Sequence, residues 1–323
     1  MNRTLHAVVV LAAVMLAANV LAQTSYPDKP VRLIVNNVSG GGVDLTARVV
    51  GQKLSETWGR PVVIENFPGA AGNIGAARAA KSPADGYTLL ISGDAAMTTN
   101  MSMYDRMPYD PTKDFAAISL LTLSTNILVV HPSVPARNLR ELVALAKSQP
   151  RELSYASAGN GTSQHLGGEL LKKMAGINLV HVPYKSAPLA AQDVVAGRVE
   201  MTFGNIVNML PMVQANRLRA IAVSSLKRWP AVPDVPTVAE SGYPGFDAVA
   251  WFGLLGPVGT PDAITQKVYQ DAVKVLSAPD VRTRLTDAGL APIGSSPAEF
   301  TAQIKDEIVK KGQLVKAAGI KAD

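Results

Sequence analysis

The chain has 323 residues, 47% of them hydrophobic, 17% charged and 5% aromatic, with no cysteine and a formal net charge of +6. Such a length suits two ordinary domains, and such a hydrophobic content excludes wholesale disorder. Disulfides and cysteine metal sites are excluded, the scattered lysines and arginines form no nucleic-acid patch, and so few aromatics argue against a surface for stacking bases or sugars.

The first segment reads as an address. Asn2, Arg3 and His6 precede the apolar run A-V-V-V-L-A-A-V-M-L-A-A (residues 7–18), and V-L-A (residues 20–22) follows as a peptidase site. A dozen or so apolar residues match a signal h-region and fall short of the roughly 20 that span a bilayer. The expectation is a signal peptide over residues 1–22, cleaved to leave Gln23 as N-terminus, and a periplasmic protein without stable membrane insertion. Losing Arg3 leaves 30 basic residues against 25 acidic ones.

Beyond it, short apolar runs alternate with amphipathic stretches. V-R-L-I-V (31–35) runs into S-G-G-G-V-D (39–44). Ala47, Val50, Leu54 and Trp58 then recur at helical spacing until Gly59 and Pro61. P-V-V-I (61–64) leads to E-N-F-P-G-A-A-G-N-I-G (65–75), and Y-T-L-L-I-S (87–92) supplies a third strand. Residues 120–130 are apolar and extended and end at His131-Pro132, a first crossing between lobes. Asn138 with Glu141 makes a capping-box pattern. L-S-Y-A-S (153–157) runs into S-A-G-N-G-T-S-Q-H-L (157–166), and L-V-H-V (179–182), V-E-M-T-F (199–203) and L-R-A-I-A-V-S (218–224) follow as strands. A second crossing lies in the Pro- and Gly-rich residues 229–245, after which residues 250–256 resume as a strand. Thr260-Pro261 and Ser296-Pro297 each set an N-cap before proline. Continuous buried strands between helices predict an α/β fold, with parallel sheets covered by helices on both faces. The crossings predict one lobe from residues 23–124 plus 247–323 and a second from 125–246.

Three glycine-rich turns link a strand to a helix: residues 39–44, 65–75 and 157–166. In open α/β sheets ligands settle at the carboxyl ends of strands. A helix N-terminus offers unpaired N–H groups and a partial positive charge, and glycine lets an anion reach them. A hydrogen bond to a charged group contributes about 1.5–3 kcal/mol, and a micromolar ligand needs about 8 kcal/mol. Three or four such contacts suffice; one does not.

Catalytic constellations are missing. His131, His165 and His181 lack metal-ligand spacing, Ser157 lacks the first glycine of a nucleophile elbow, and no phosphate loop occurs. No metal and no cofactor are expected. An exported α/β hydrolase using Ser157 or Ser163 with His165 remains the alternative from these residues.

Several stretches together carry a resemblance: D-R-M-P-Y-D-P-T-K-D-F (105–115), the second glycine turn, P-A-D-G-Y-T-L-L (83–90), G-T-S-Q-H-L-G-G-E-L (161–170), V-H-V-P-Y-K (180–185), D-V-P-T-V-A-E-S-G-Y-P-G-F (234–246) and W-F-G-L-L-G-P-V-G-T-P (251–261). Over essentially the whole mature chain, the protein resembles the Bug-type extracytoplasmic solute receptors of tripartite tricarboxylate transporters. The resemblance implies a two-lobed periplasmic binding protein of type II, a Venus flytrap with a doubly wound sheet in each lobe. It would close on a small carboxylate and present it to the membrane components of the transporter. No catalysis is implied, a monomer is the default expectation, and a receptor feeding a sensor kinase would look the same. By position the ligand would meet Ser39, Gly40, Gly41 and Asp44 in the first loop and Pro68, Gly69, Ala70 and Ala71 in the second. Gly161, Thr162, Ser163 and His165 would come from the other lobe, with Lys185, Gly204 and Asn205. Asp44 is expected to order its loop, because a carboxylate would repel an acid. The first loop departs from the family's usual aromatic and prolines: Asn36, Asn37 and Ser39 stand there instead. Asn36 or Asn37 is expected either to touch a polar ligand group or to cap the turn.

Overall fold

The computed structural model describes residues 26–148 and 151–322, so the expected signal segment and its cleavage point lie outside the described residues. The chain begins with β1 (Val31–Val35), α1 (Gly42–Trp58), β2 (Val62–Asn66), a single 3-10 turn (Ala70–Gly72), α2 (Asn73–Ala80) and β3 (Thr88–Gly93). Two short helices, α3 (Asp94–Met97) and α4 (Asn100–Met103), precede the long strand β4 (Phe115–Ser124). After a single residue the chain enters β5 (Asn126–Val130), then α5 (Leu139–Ser148), β6 (Leu153–Ser157), α6 (Ser163–Ala175), β7 (Leu179–Pro183), α7 (Ala187–Val195), β8 (Met201–Asn205), α8 (Ile206–Gln214) and β9 (Arg219–Val223). It ends with β10 (Ala250–Pro257), α9 (Asp262–Ser277), α10 (Pro279–Asp287), β11 (Leu290–Pro292) and α11 (Pro297–Ala318).

Two sheets result, ordered β11-β4-β10-β3-β1-β2 and β7-β6-β8-β5-β9. Alternate residues of each strand feed opposite cores, as the two-residue strand period requires. Leu33, Val35, Leu89 and Ile91 pack with Val50 and Leu54 of α1 and Val268 of α9. Their neighbours Ile34 and Leu90 pack on the other face with Ala76 and Ala79 of α2 and Phe300 and Ile304 of α11. In the second sheet Leu128, Tyr155 and Phe203 face α5 and α6, while Ile127, Val129 and Ala156 face α7 and α8. Helices therefore cover both faces of both sheets.

The sheets are mixed rather than parallel. β10 runs antiparallel to β3 and β4, and β5 runs antiparallel to β8 and β9. β4 leaves the first sheet at the edge facing the second, so β5 must enter the second sheet from its carboxyl-end side and run backwards; β10 does the same on return. The two passages are bound together. Asn126 Nδ2 donates to Ala248 C=O at 2.7 Å, Ser224 Oγ donates to the same carbonyl at 2.9 Å, and the Ser224 N–H donates to Asn126 C=O at 2.8 Å.

Helix starts follow the expected chemistry with one shift. Ser296 and Glu299 form a reciprocal capping box with Pro297 first in α11. At Thr260-Pro261 the helix begins one residue later, because the Thr260 hydroxyl donates to Pro257 C=O instead of capping.

Candidate functional site

The turns after β1, β2 and β3 from one sheet, and after β6, β7 and β8 from the other, enclose a cavity of about 810 Å³. All six leave carboxyl ends of strands, where open α/β sheets take ligands. Phe252 and Ala250, at the start of β10, close one side.

Asp44 shapes the turn after β1. Its carboxylate accepts the Gly40 N–H at 3.0 Å, Arg48 Nε at 2.8 Å and Asn66 Nδ2 at 2.9 Å. Burial opposes its charge, but the hydrogen bonds from Arg48, Gly40 and Asn66 outweigh burial and hold its carboxyl below the usual range. Gly40 takes φ of +86°, and Gly42 meets Phe252 so closely that a Cβ would lie 2.5 Å from its ring. Gly41 and Gly42 thereby bring the first turn of α1 to the cavity. Beside it, Gly69, Ala70, Ala71 and Gly72 all adopt positive φ, so their peptide groups curl around the cavity wall.

On the opposite wall Thr162 caps α6. Its hydroxyl donates to Gly159 C=O at 2.8 Å and accepts the His165 N–H at 3.4 Å. Gln164 Oε1 accepts the Ala158 N–H at 2.7 Å and fixes the preceding turn. Asn205 caps α8 by accepting the Val207 N–H at 3.2 Å. Asn208, one turn on, donates Nδ2 to Gly40 C=O at 3.2 Å and so bridges the two walls. Geometry leaves the first N–H groups of α1 and α6 without an intrahelical acceptor. The wall can therefore offer amide donors and helix-dipole charge to an anion.

Among the expected residues, Asn36, Gly41, Pro68, Gly69, Ala70, Ala71, Thr162, Ser163, Lys185 and Asn205 are brought together on this wall. Others sit behind it. Ser39 is exposed and its hydroxyl donates to Asn66 Oδ1 at 3.3 Å. Gly40 gives its N–H to Asp44 and its carbonyl to Asn208, and Asp44 is taken up by Gly40, Arg48 and Asn66. Gly161 donates its N–H to His165 Nδ1 at 3.1 Å and packs under Met103. His165 is buried and stacked on His181, ring centroids 3.8 Å apart, and burial with nearby Lys172 pushes its pKa down to about 4. Gly204 is packed beneath Met209. Asn36 ties strand ends together: Nδ2 donates to Ser92 Oγ at 2.8 Å and Oδ1 accepts the Gly93 N–H at 3.3 Å. Asn37 lines the cavity, and its carbonyl accepts Asn66 Nδ2 at 2.9 Å.

A family model described as the tripartite tricarboxylate transporter family receptor, TctC, matches residues 46–320. The chain belongs to this family. It is 36% identical to Rpa4515 of R. palustris, solved with adipate, covering 92% of this chain and 99% of that one with a TM-score of 0.88. MatC (Rpa3494) from Rhodopseudomonas palustris, with bound malate, is 32% identical over 90% of this chain and all of that one, with a TM-score of 0.83. The periplasmic binding protein BugD is 31% identical over 92% of this chain and 100% of its own, with a TM-score of 0.85.

The receptor family is one of transport proteins, and in this member Ser157 does not pair with His165 as the serine-hydrolase alternative expected. Ser157 is fully buried, its Oγ lies 2.6 Å from His181 Nε2 rather than from His165, and it donates to Gly159 C=O. Several wall residues of the receptor escaped sequence reasoning. Asp94 did carry a signal, since G-D at the end of β3 repeats the strand, glycine and acid order of the first turn. Asn208 and Phe252 carried none: each lies inside a regular element and reaches the cavity only through the meeting of the two sheets.

Proposed function

We propose that this receptor captures a small organic acid, holding one carboxylate with main-chain amides, and delivers it to the membrane components of a tripartite tricarboxylate transporter. The observation that carries this is the meeting of six strand carboxyl ends, three from each sheet, around one cavity of about 810 Å³. That volume lies within the range of small-ligand sites. Adipate in Rpa4515 and malate in MatC are both dicarboxylates, which supports an acid ligand here. The periplasmic relatives and the h-region of residues 7–18 support export with removal of residues 1–22. We place the lobe boundaries at 124/125 and 246/247, beside the bonded passages, and expect a monomer that closes by hinge motion. Native mass spectrometry of the protein purified without refolding, followed by calorimetry with adipate, malate and succinate, tests the proposal. A retained acid or micromolar binding of one of these supports it; failure to bind any organic acid, with esters and amides bound instead, refutes it.

A further inference from the structure

A second concavity lies on the outside of the second sheet. α7 and α8 cover one face of that sheet side by side, burying Ala190 and Val194 from one helix and Met209 and Leu210 from the other. Their outer flanks leave a groove of about 360 Å³. Its walls are apolar: Pro188, Ala191 and Val195 line it at i, i+3 and i+7 of α7, and Met212 lines it from α8. The volume is that of a small-ligand site.

Both ends of the groove are polar. Asn208, one turn before Met212, lines it at the end shared with the cavity, and its buried Oδ1 accepts no hydrogen bond among the described residues. Arg217 lines it beyond the other end of α8. Asn216 takes φ of +55°, and the Arg217 N–H returns to Met212 C=O at 2.9 Å, so a left-handed helix cap fixes where Arg217 emerges. Its guanidinium makes no ion pair or hydrogen bond among the described residues. Asp193, beside the groove residue Gln192 on α7, is no counter-charge for it: its carboxylate already accepts the Tyr184 hydroxyl at 2.7 Å and Arg198 Nη1 at 2.7 Å. A permanently charged planar fork stands therefore at the mouth of an apolar slot, its donors free for a carboxylate.

We infer that this groove is a second ligand site and that it takes an amphipathic monocarboxylate, with an alkyl chain along Pro188, Ala191, Val195 and Met212 and the carboxylate on Arg217. Asn208 and Arg217 are roughly 10 Å apart along the helix axis, which suits a chain of medium length. A protein partner is a poorer fit, since a stable interface takes about 20–30 residues a side and this groove holds little more than one chain. The inference goes beyond the proposal for the cavity and stands apart from it, because none of the glycine-rich turns contributes to the groove.

Nuclear magnetic resonance of the receptor carrying methyl-labelled methionine, titrated with octanoate, tests it. Comparison with Met212→Leu assigns the Met212 methyl signal. That signal should shift and saturate, and Arg217→Gln should weaken octanoate at least tenfold. Arg217 is exposed, and circular dichroism verifies that the variant folds. Octanol, with the chain but no charge, should bind the wild type at least tenfold more weakly than octanoate. A Met212 signal that stays still up to about 10 mM octanoate overturns the inference. So does octanoate binding of unchanged strength in Arg217→Gln, which would place the acid in the cavity or make it a mere apolar contact. Neither result bears on acid capture in the cavity, which calorimetry with succinate and malate reads separately.

Discussion

Gly69, Ala70, Ala71 and Gly72 hold φ of 122°, 47°, 49° and 94° in succession. For alanine the left-handed region costs roughly 1–2 kcal/mol per residue, and strain of this sort gathers at ligand clamps. Ala71→Gly removes that cost but loosens the unfolded chain by about 0.4–1 kcal/mol, so the thermal midpoint should stay level or rise by a few degrees. Ala71→Val puts a β-branched side chain where it is least tolerated, and we expect denaturant melts to show a loss of about 1–2 kcal/mol. Asn36 was legible as an oddity of the first loop, but which of its two expected roles it fills was not. Its side chain satisfies Ser92 and Gly93, sixty residues away or nearly so, and no local pattern encodes that pairing. Asn36→Ala strands the Gly93 N–H and should cost about 1–3 kcal/mol in urea unfolding. Stacked His165 and His181 add a pH signature. Burial, with nearby Lys172 for His165 and with His165 itself for His181, lowers their pKa values to about 4 and about 3. Both lie below the ordinary 6.5, so the unfolded chain takes up protons first as pH falls. Stability is therefore whole above about pH 6.5 and declines towards 4 and below. Thermal melts from pH 7.5 downward should show this decline, and it should be shallower in His181→Asn; an unchanged slope contradicts the assignment.

At the scale of elements, the strand-to-helix turns do most of the work. Three of the six cavity turns were readable because glycine marks them. The turns after β7 and β8 entered only through the resemblance, as Lys185 and Asn205, and the turn after β3 escaped: G-D, P-Y-K-S and N-I-V-N carry a single glycine among them, and helix caps built from Ser186 and Asn205 look like ordinary punctuation. Strand positions were legible from their apolar runs, whereas strand direction was not. Direction in β5 and β10 follows from how the chain crosses between sheets, which no window of residues records. Gly42 shows why the first turn needs bare backbone: it admits the Phe252 ring, and Cβ there would come within 2.5 Å of it. Gly42→Ala should displace Phe252 from the cavity wall and weaken ligand binding at least tenfold by calorimetry, with secondary structure intact. Gly59→Ala, at the far end of α1 and away from the cavity, tests instead whether a substituted glycine of this helix alters binding without touching the wall.

For the whole molecule, two sheets joined by a hydrogen-bonded pair of passages border the cavity of about 810 Å³. The walls touch at few places. Asn208 reaches Gly40, the Trp229 indole N–H donates to Gly289 C=O at 2.9 Å, and Met103 and Val315 pack on Leu166. If the walls part to admit a ligand, weakening one of these contacts should favour opening. Asn208→Ala is expected to speed ligand dissociation in stopped-flow experiments more than it slows association. The central claim is that peptide N–H groups, not a dedicated cationic side chain, hold the ligand's carboxylate. A crystal structure of the receptor with its retained or added acid tests this most directly. The account predicts carboxylate oxygens about 3 Å from main-chain nitrogens in the turns at Gly42, Ala71 or Ser163. A carboxylate paired with Lys185 alone and remote from those turns would contradict it.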